Sequence, residues 1–467
     1  MLVPRSRLLF WVALIVLPFA TLGGVAADAA PIAIAAIALF LVIVLFDAAF
    51  AFGRLDHIKI ALPEVVRLSK DREGQIEVQI DNSRQRAEKV RVALGLPREL
   101  QSAQEDLVAQ LPANTALSRL VWPCTPRRRG NYLLEKCYIE SASALGFWAI
   151  RGSTRVQSEI RVYPDLMSER KNVATLFLNR GNFGAHAQRQ VGKGRDFEKL
   201  REYIPGDSYD EIHWKATAKR GKPVTKIFQI ERTQEIYVII DASRLSARKT
   251  EVQSSKFKDQ SSEAAPVDDQ AGTLNNEPET SILERYITAG LVLGLAAEQQ
   301  NDLFGLITFS DKVQKFVRAK NGKAHFAACR DALYTLHPQI VTPDFDELCA
   351  FIRLRLRRRA LLVVLTSLDD PVLAESFVRN MDLICRQHLV LVNMMQPPGA
   401  KPIFSDPNIV SIDEVYQQLG GHILWNNLRE LEKTLKHRGV RLSLVDNEKL
   451  SAQLVTQYLG VKRRQLL

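Results

Sequence analysis

Two apolar runs near the start constrain this 467-residue chain more than anything else in it. Residues 8–27 are almost wholly apolar and follow Arg5 and Arg7. Residues 31–46 form a second run, extendable to Phe52 if Asp47 lies at an interface. Each approaches the roughly 20 residues a helix needs to cross a bilayer core. A few residues carrying one charge, Asp28, separate them, and Arg54 and Lys59 follow the pair. With basic residues on both outer flanks, the expected arrangement is a transmembrane helical hairpin with both ends cytoplasmic. A signal peptide is the competing reading, because Ala27-Asp28-Ala29 has the small-x-small form of a processing site. Even then the second run, with its basic flank, anchors what remains. The expected location is therefore the inner (plasma) membrane, with most of the chain in the cytoplasm and membrane lipid as one partner.

The length allows two or three domains with their own cores. A formal net charge of +11 suggests an acidic partner such as anionic lipid or an acidic protein face. Basic residues are not interleaved with aromatic ones in a base-stacking pattern, so nucleic acid is not expected. Five cysteines, Cys124, Cys137, Cys329, Cys349 and Cys385, are scattered without a C-x-x-C spacing. That argues against a zinc site or disulfide framework and fits a reducing compartment, although a single Cys124–Cys137 pair stays open.

Residues 54–165 alternate short β-like runs with turns. Residues 75–80 (QIEVQI) and 89–94 (KVRVAL) are patterned with period two, and Asp81-Asn82-Ser83 punctuates between them. Further runs lie at 131–139, 147–150 and 158–162, which together predict a small β-sandwich domain. Residues 236–467 instead alternate buried strands (236–241, 303–309, 360–366, 389–393, 441–445) with helical stretches (281–299, 324–336, 345–357, 372–386, 426–438 and from 448). That alternation predicts an α/β domain with a mostly parallel, doubly wound sheet. Residues 247–279 are polar with almost no large apolar side chains and read as a disordered insertion.

Between these domains, residues 166–235 hold the most ordered motif: Gly192-Lys193-Gly194, a Pro205-Gly206-Asp207 turn, and a patterned stretch with Tyr209, Ile212 and Ala216 on one face. Asp207 is the expected helix N-cap, and Lys215, Lys219 and Arg220 gather before Gly221. Trp214 reads as a packing anchor. The string G-x-G-x-D-F-x-x-L-R-x-Y-x-P-G-D, followed by I-x-W-K-A-T-A-K and a strand ending in D-x-S, resembles the domain-of-unknown-function 58 family. Two positions depart from it: Asp210, where many members have Arg, and His213, where many have Asp. Arg127 to Tyr132 resembles the family's R-G-x-Y element, and Leu145-Gly146-Phe147 an altered form of another. The arginine run there reads as a solvated turn, or as a contact for lipid headgroups or an acidic partner face.

The resemblance implies a membrane-anchored chain with a von Willebrand factor A-like domain and a MoxR-type AAA+ ATPase as partner. Other envelope or complex-assembly proteins are further partners it suggests. It also implies a magnesium site at the strand ends built from D-x-S-x-S, a threonine and a later aspartate. Here that set is Asp241, Ser243, Ser246 (one place late, after Leu245), Thr366 and Asp369, with Asp370 a further option because Ser367 occupies the usual aspartate position. The candidate partner-binding residues are Arg201, Asp207, Trp214, Lys215 and Lys219.

The chain contains no G-x-x-x-x-G-K-[ST], H-E-x-x-H or G-x-S-x-G. An adaptor that leaves energy use to an ATPase partner is the expected role. A membrane-bound metal-dependent hydrolase using Asp241 is the alternative. The basic flanks make one expectation directly testable. A reporter fused after Leu467 should show cytoplasmic activity, and periplasmic activity would refute the hairpin topology.

Overall fold

The computed structural model describes residues 1–25, 30–85, 87–167, 191–205, 208–229, 234–250, 280–403, 405 and 412–464. Asp28, Gly206, Asp207 and residues 251–279 of the insertion expected at 247–279 lie outside them; the start of that insertion is ordered, with Lys249–Thr250 paired antiparallel to Thr280–Ser281. The chain divides into two compact units, Met1–Asp165 and Leu166–Leu467.

In the first unit, two helical stretches, Ser6–Val25 and Ala30–Ala51, are long and apolar enough to cross a membrane. The first includes a wider π-type turn at Val12–Val16. The strands form two sheets. One joins Leu2–Pro4, Trp148–Tyr163, Gly130–Ala142, Glu88–Leu94 and Leu107–Leu111, with Val65–Ser69 alongside Trp148–Tyr163. The other joins Ile58–Ala61, Gly74–Asn82, Leu117–Pro126 and Leu100–Gln101. Alternation sends Ile76, Val78, Ile80 and Trp122 of one sheet and Val90, Val92, Leu134 and Ile160 of the other into one shared core. The expected runs at 147–150 and 158–162 are one long strand, interrupted by a register shift between Arg155 and Ser158. The arginine run is not a solvated turn throughout. Arg129 is buried, and Arg127 Nε donates to Gln101 Oε1 at 2.9 Å.

In the second unit a six-stranded sheet runs in the order Val313–Lys320, Leu303–Phe309, Glu235–Asp241, Leu361–Leu365, Leu389–Met395, Arg441–Val445. The first pair is antiparallel and the rest are parallel. Period two sorts Glu235–Asp241 onto both faces. Ile236, Val238 and Ile240 pack with helices Ile282–Gln299 and Leu450–Arg464, and Tyr237 and Ile239 with helices Phe345–Arg355 and Pro371–Ile384. Helix starts follow local chemistry. Ser281 accepts from Glu284 N, Asp344 from Asp346 N and Glu347 N, and Asp370 from Val372 N with Pro371 just inside. A smaller antiparallel pair, Val191–Glu202 with Val224–Gln229, precedes this sheet. Gly192-Lys193-Gly194 therefore lies within a strand, not a loop.

All five cysteines are free, four of them buried. Burial pushes the Cys124 thiol up to about 11 and the Cys137 thiol up to about 12.

Sheet packing makes one glycine irreplaceable. A Cβ on Gly305 would stand 2.4 Å from a Tyr237 ring carbon and 2.9 Å from Ala319 N. Gly305→Ala should destabilise the chain by about 1–3 kcal/mol through overpacking. Gly420→Ala, in helix Ile412–His437 with no atom within 4 Å of its Cβ position, should be neutral or stabilise by up to about 1 kcal/mol. Thermal unfolding of the two detergent-solubilised variants checks the contrast.

Candidate functional site

Strand Glu235–Asp241 is flanked by Leu303–Phe309 on one side and Leu361–Leu365 on the other, so strand order reverses around it. In open parallel sheets, ligands collect at the carboxyl end of such a strand. Asp241 stands at that end, fully buried. Its Oδ1 accepts from Ser243 N at 2.8 Å, and its Oδ2 is 2.6 Å from the Thr366 hydroxyl. Ser243 Oγ accepts from Leu245 N at 3.3 Å, and the Ser246 hydroxyl donates to Ser243 O at 2.9 Å. The Tyr286 hydroxyl donates to Thr366 O at 3.2 Å, and burial pushes that phenol upward.

Of the residues expected to ligate magnesium, the fold thus brings Asp241, Ser243 and Thr366 into direct contact, with Ser246 joined through the Ser243 carbonyl. Asp369 forms an ion pair with Arg248, leaving its Oδ1 buried without a hydrogen-bond partner. Asp370 caps a helix and Ser367 is buried. Magnesium needs several hard oxygens in near-octahedral array. Among the described residues no three His, Cys, Asp or Glu side chains group to hold a metal. Both Asp241 oxygens are already hydrogen-bonded, and burial holds its carboxyl above the usual range despite the contacts from Thr366 and Ser243. As folded, the set is a buried hydrogen-bond cluster in which each Asp241 oxygen accepts one contact.

The signature segment is built differently from expectation. Its single expected helix divides into a 3₁₀ turn, Tyr209–Glu211, and an α-helix, Trp214–Arg220. The N-cap of that α-helix is His213, not Asp207. The His213 ring Nδ1 accepts from Ala216 N at 3.0 Å. Gly221 closes the helix in the left-handed region with φ of 66°. Trp214 is 68% exposed and so is not a packing anchor. Tyr209 is also exposed and stacks on Tyr203, while Ile212 is buried. Lys215 and Lys219 are exposed one turn apart. Arg201 is half-buried in the ladder opposite Thr225.

The profile described as "Protein of unknown function DUF58" matches residues 199–267 and 244–401, which include the signature helix, Asp241 and Thr366. The match supports the DUF58 family. Among curated proteins no sequence match was found. Proximal thread matrix protein 1 from the mussel byssus aligns at 11% identity and TM-score 0.24, over 48% of this chain and 45% of that one. Murine CRIg aligns at 13% identity and TM-score 0.13, over 23% of this chain and 98% of that one. This chain spans under half of the mussel protein, and likeness at these scores carries no argument.

One surface escaped the sequence reading. The expected helix at 426–438 begins much earlier, as Ile412–His437. On its first half Ile412, Val415, Tyr416, Leu419 and Ile423 fall on one face and are all 43–75% exposed. Leu428 and Leu435, which enter the core, lie roughly 150° round the helix from that stripe. The spacing i, i+3, i+4, i+7, i+11 was the signal available for it.

The buried Asp241 gives a pH test. Burial raises its folded pKa above that of an ordinary aspartate. The stabilisation of the protonated carboxyl is complete below the unfolded pKa and is lost as pH rises through the folded one. Asp241→Asn keeps an acceptor for Ser243 N and a donor for Thr366, and it has no charge to bury. Its melting temperature should fall less than the wild type's as pH is raised from 4. Parallel profiles for the two proteins would refute the assignment.

Proposed function

We propose that this protein is a membrane-tethered, non-enzymatic adaptor that docks a MoxR-type AAA+ ATPase during protein remodelling or maturation. In this reading the apolar hairpin anchors it in the inner membrane with the bulk of the chain in the cytoplasm. The two-sheet core of the first unit is a β-sandwich, and the six-stranded sheet is a doubly wound von Willebrand factor A-like domain. The observation that carries the reading is the second apolar face of helix Ile412–His437. Five exposed large side chains in a row on an ordered helix cost solubility unless something covers them, and an apolar helix face is a common peptide- and protein-docking element. The exposed Trp214, Lys215 and Lys219 add a mixed aromatic and basic surface in the segment with the family signature. The ATPase as occupant rests on the family resemblance. The alternative, a metal-dependent hydrolase at the Asp241 strand end, would place Asp241, Ser243 and Thr366 around magnesium.

The test combines binding with folding. Leu419→Glu/Ile423→Glu and Lys215→Glu/Lys219→Glu should each leave thermal unfolding within about 0.5 kcal/mol of wild type, as expected of exposed sites. Both should weaken association with a purified MoxR-type ATPase from the same genome. The lysine effect should shrink at high salt and the apolar one should not. Wild-type affinity in both variants would refute the docking role of these surfaces.

A further inference from the structure

Asp47 is a carboxylate inside an otherwise apolar helix, Ala30–Ala51, and it is buried. Its partners all come from one turn of the first unit. The Ser143 hydroxyl donates to Asp47 Oδ2 at 2.6 Å, and Leu145 N donates to Oδ1 at 3.0 Å. The same turn is held by Trp148 Nε1 donating to Val44 O at 3.0 Å and by Arg5 N donating to Phe147 O at 2.9 Å. Phe147 packs edge-on to Phe40 and shares a cluster with Leu8 and Val44.

These contacts fix how deep the turn can lie. Phe40 and Asp47 are seven residues apart, roughly 10 Å along a helix axis. If the helix were raised so that everything touching the turn stood in water, only Ala30 to Leu39 would remain, about 15 Å, half of the roughly 30 Å core. The helix can cross a bilayer only if the turn enters with it.

The chemistry of the turn suits that position. Residues 144–148 read ALGFW and carry no charge. Part of the turn's backbone is answered from within: Trp148 N donates to Ser143 Oγ, Gly146 N to Ser143 O, and Ser143 N to Trp148 O. Irregular backbone in hydrocarbon must find its partners inside the protein, and Asp47 supplies the acceptor that Leu145 N needs. A Cβ on Gly146 would sit 3.3 Å from an Arg7 guanidinium nitrogen, so a long cation that can reach headgroups marks the level of the turn's tip. Beside the turn, Val42, Ile43, Phe46, Phe50, Ala144 and Leu145 line an apolar cleft of about 330 Å³ with Asp47 at its edge. Phe46, Phe50 and Leu145 are more than half exposed, so the cleft is continuous with the apolar outer face of the helix.

Resting on the membrane-anchored reading above, we propose that the Ser143–Trp148 turn is a second, non-helical membrane insertion, seated on Asp47. Its cleft takes a lipid acyl chain. The turn makes the first unit a partly embedded body, not one tethered by helices alone.

The full chain is reconstituted in phosphatidylcholine vesicles with an environment-sensitive fluorophore on Leu145→Cys or, separately, on Leu41→Cys of the helix. Quenching by lipids carrying a nitroxide high in the acyl chain is compared with quenching by aqueous iodide. The proposal expects both labels to be quenched by the nitroxide and shielded from iodide. A Leu145 label open to iodide beside a nitroxide-quenched Leu41 label overturns the proposal while leaving the anchor intact. Both labels open to iodide overturns the two together. Asp47→Leu should cost the Leu145 label its nitroxide quenching but spare the Leu41 label, and Asp47→Asn, which keeps an acceptor for Leu145 N, should restore it. An unchanged Leu145 signal in Asp47→Leu would overturn the seating on Asp47.

Discussion

A strand covered on both faces has no route to water for a charged side chain, and Glu235–Asp241 ends in one. The fold answers Asp241 with the backbone of its own following loop, through Ser243, and with the hydroxyl of the neighbouring strand's end, through Thr366. Two strand ends 125 residues apart in sequence are thereby locked together. The loop after the strand is shaped by the same demand, since Ser243 in turn holds Leu245 and Ser246. These hydrogen bonds lie at the strand end, where open parallel sheets commonly bind ligands.

Much of the second unit was legible because its strands are continuous apolar runs between polar breaks. Strand Arg441–Val445 and strand Leu303–Phe309 fall where periodicity places them. What was not legible has a physical cause in each case. Val313–Lys320 is a half-buried edge strand whose Gln, Lys and Arg content hides it. Trp148–Tyr163 reads as two strands because Gly152, Ser153 and a register shift interrupt its alternation. The early half of helix Ile412–His437 was missed because its apolar residues serve a face other than the core.

The candidate site divides in the same way. That Asp241, Ser243 and Thr366 should meet was implied by the family resemblance, which places them at strand ends. That Asp241 would already be hydrogen-bonded to Ser243 N and the Thr366 hydroxyl could not be read there, because hydroxyl directions and loop closure are set by tertiary contacts. The cap of Trp214–Arg220 is a similar case. Histidine is an uncommon N-cap, and only the bridge from His213 N to Val224 O at 2.8 Å places its ring over Ala216 N. Asp47 was read as the edge of a span, and its partners nearly a hundred residues away turned it into a seat.

The buried thiols carry a consequence for reactivity. Burial pushes Cys329 and Cys349 up to about 12 and Cys385 up to about 11, in line with Cys124 and Cys137. Only the thiolate attacks disulfides or peroxides, and at neutral pH a thiol of pKa 11 is ionised in roughly one molecule in ten thousand. Burial of four of the five thiols also shields them from oxidants and alkylating reagents. The chain's five sulfurs serve as compact apolar filler, and a cysteine placed on its surface would react long before any of its own.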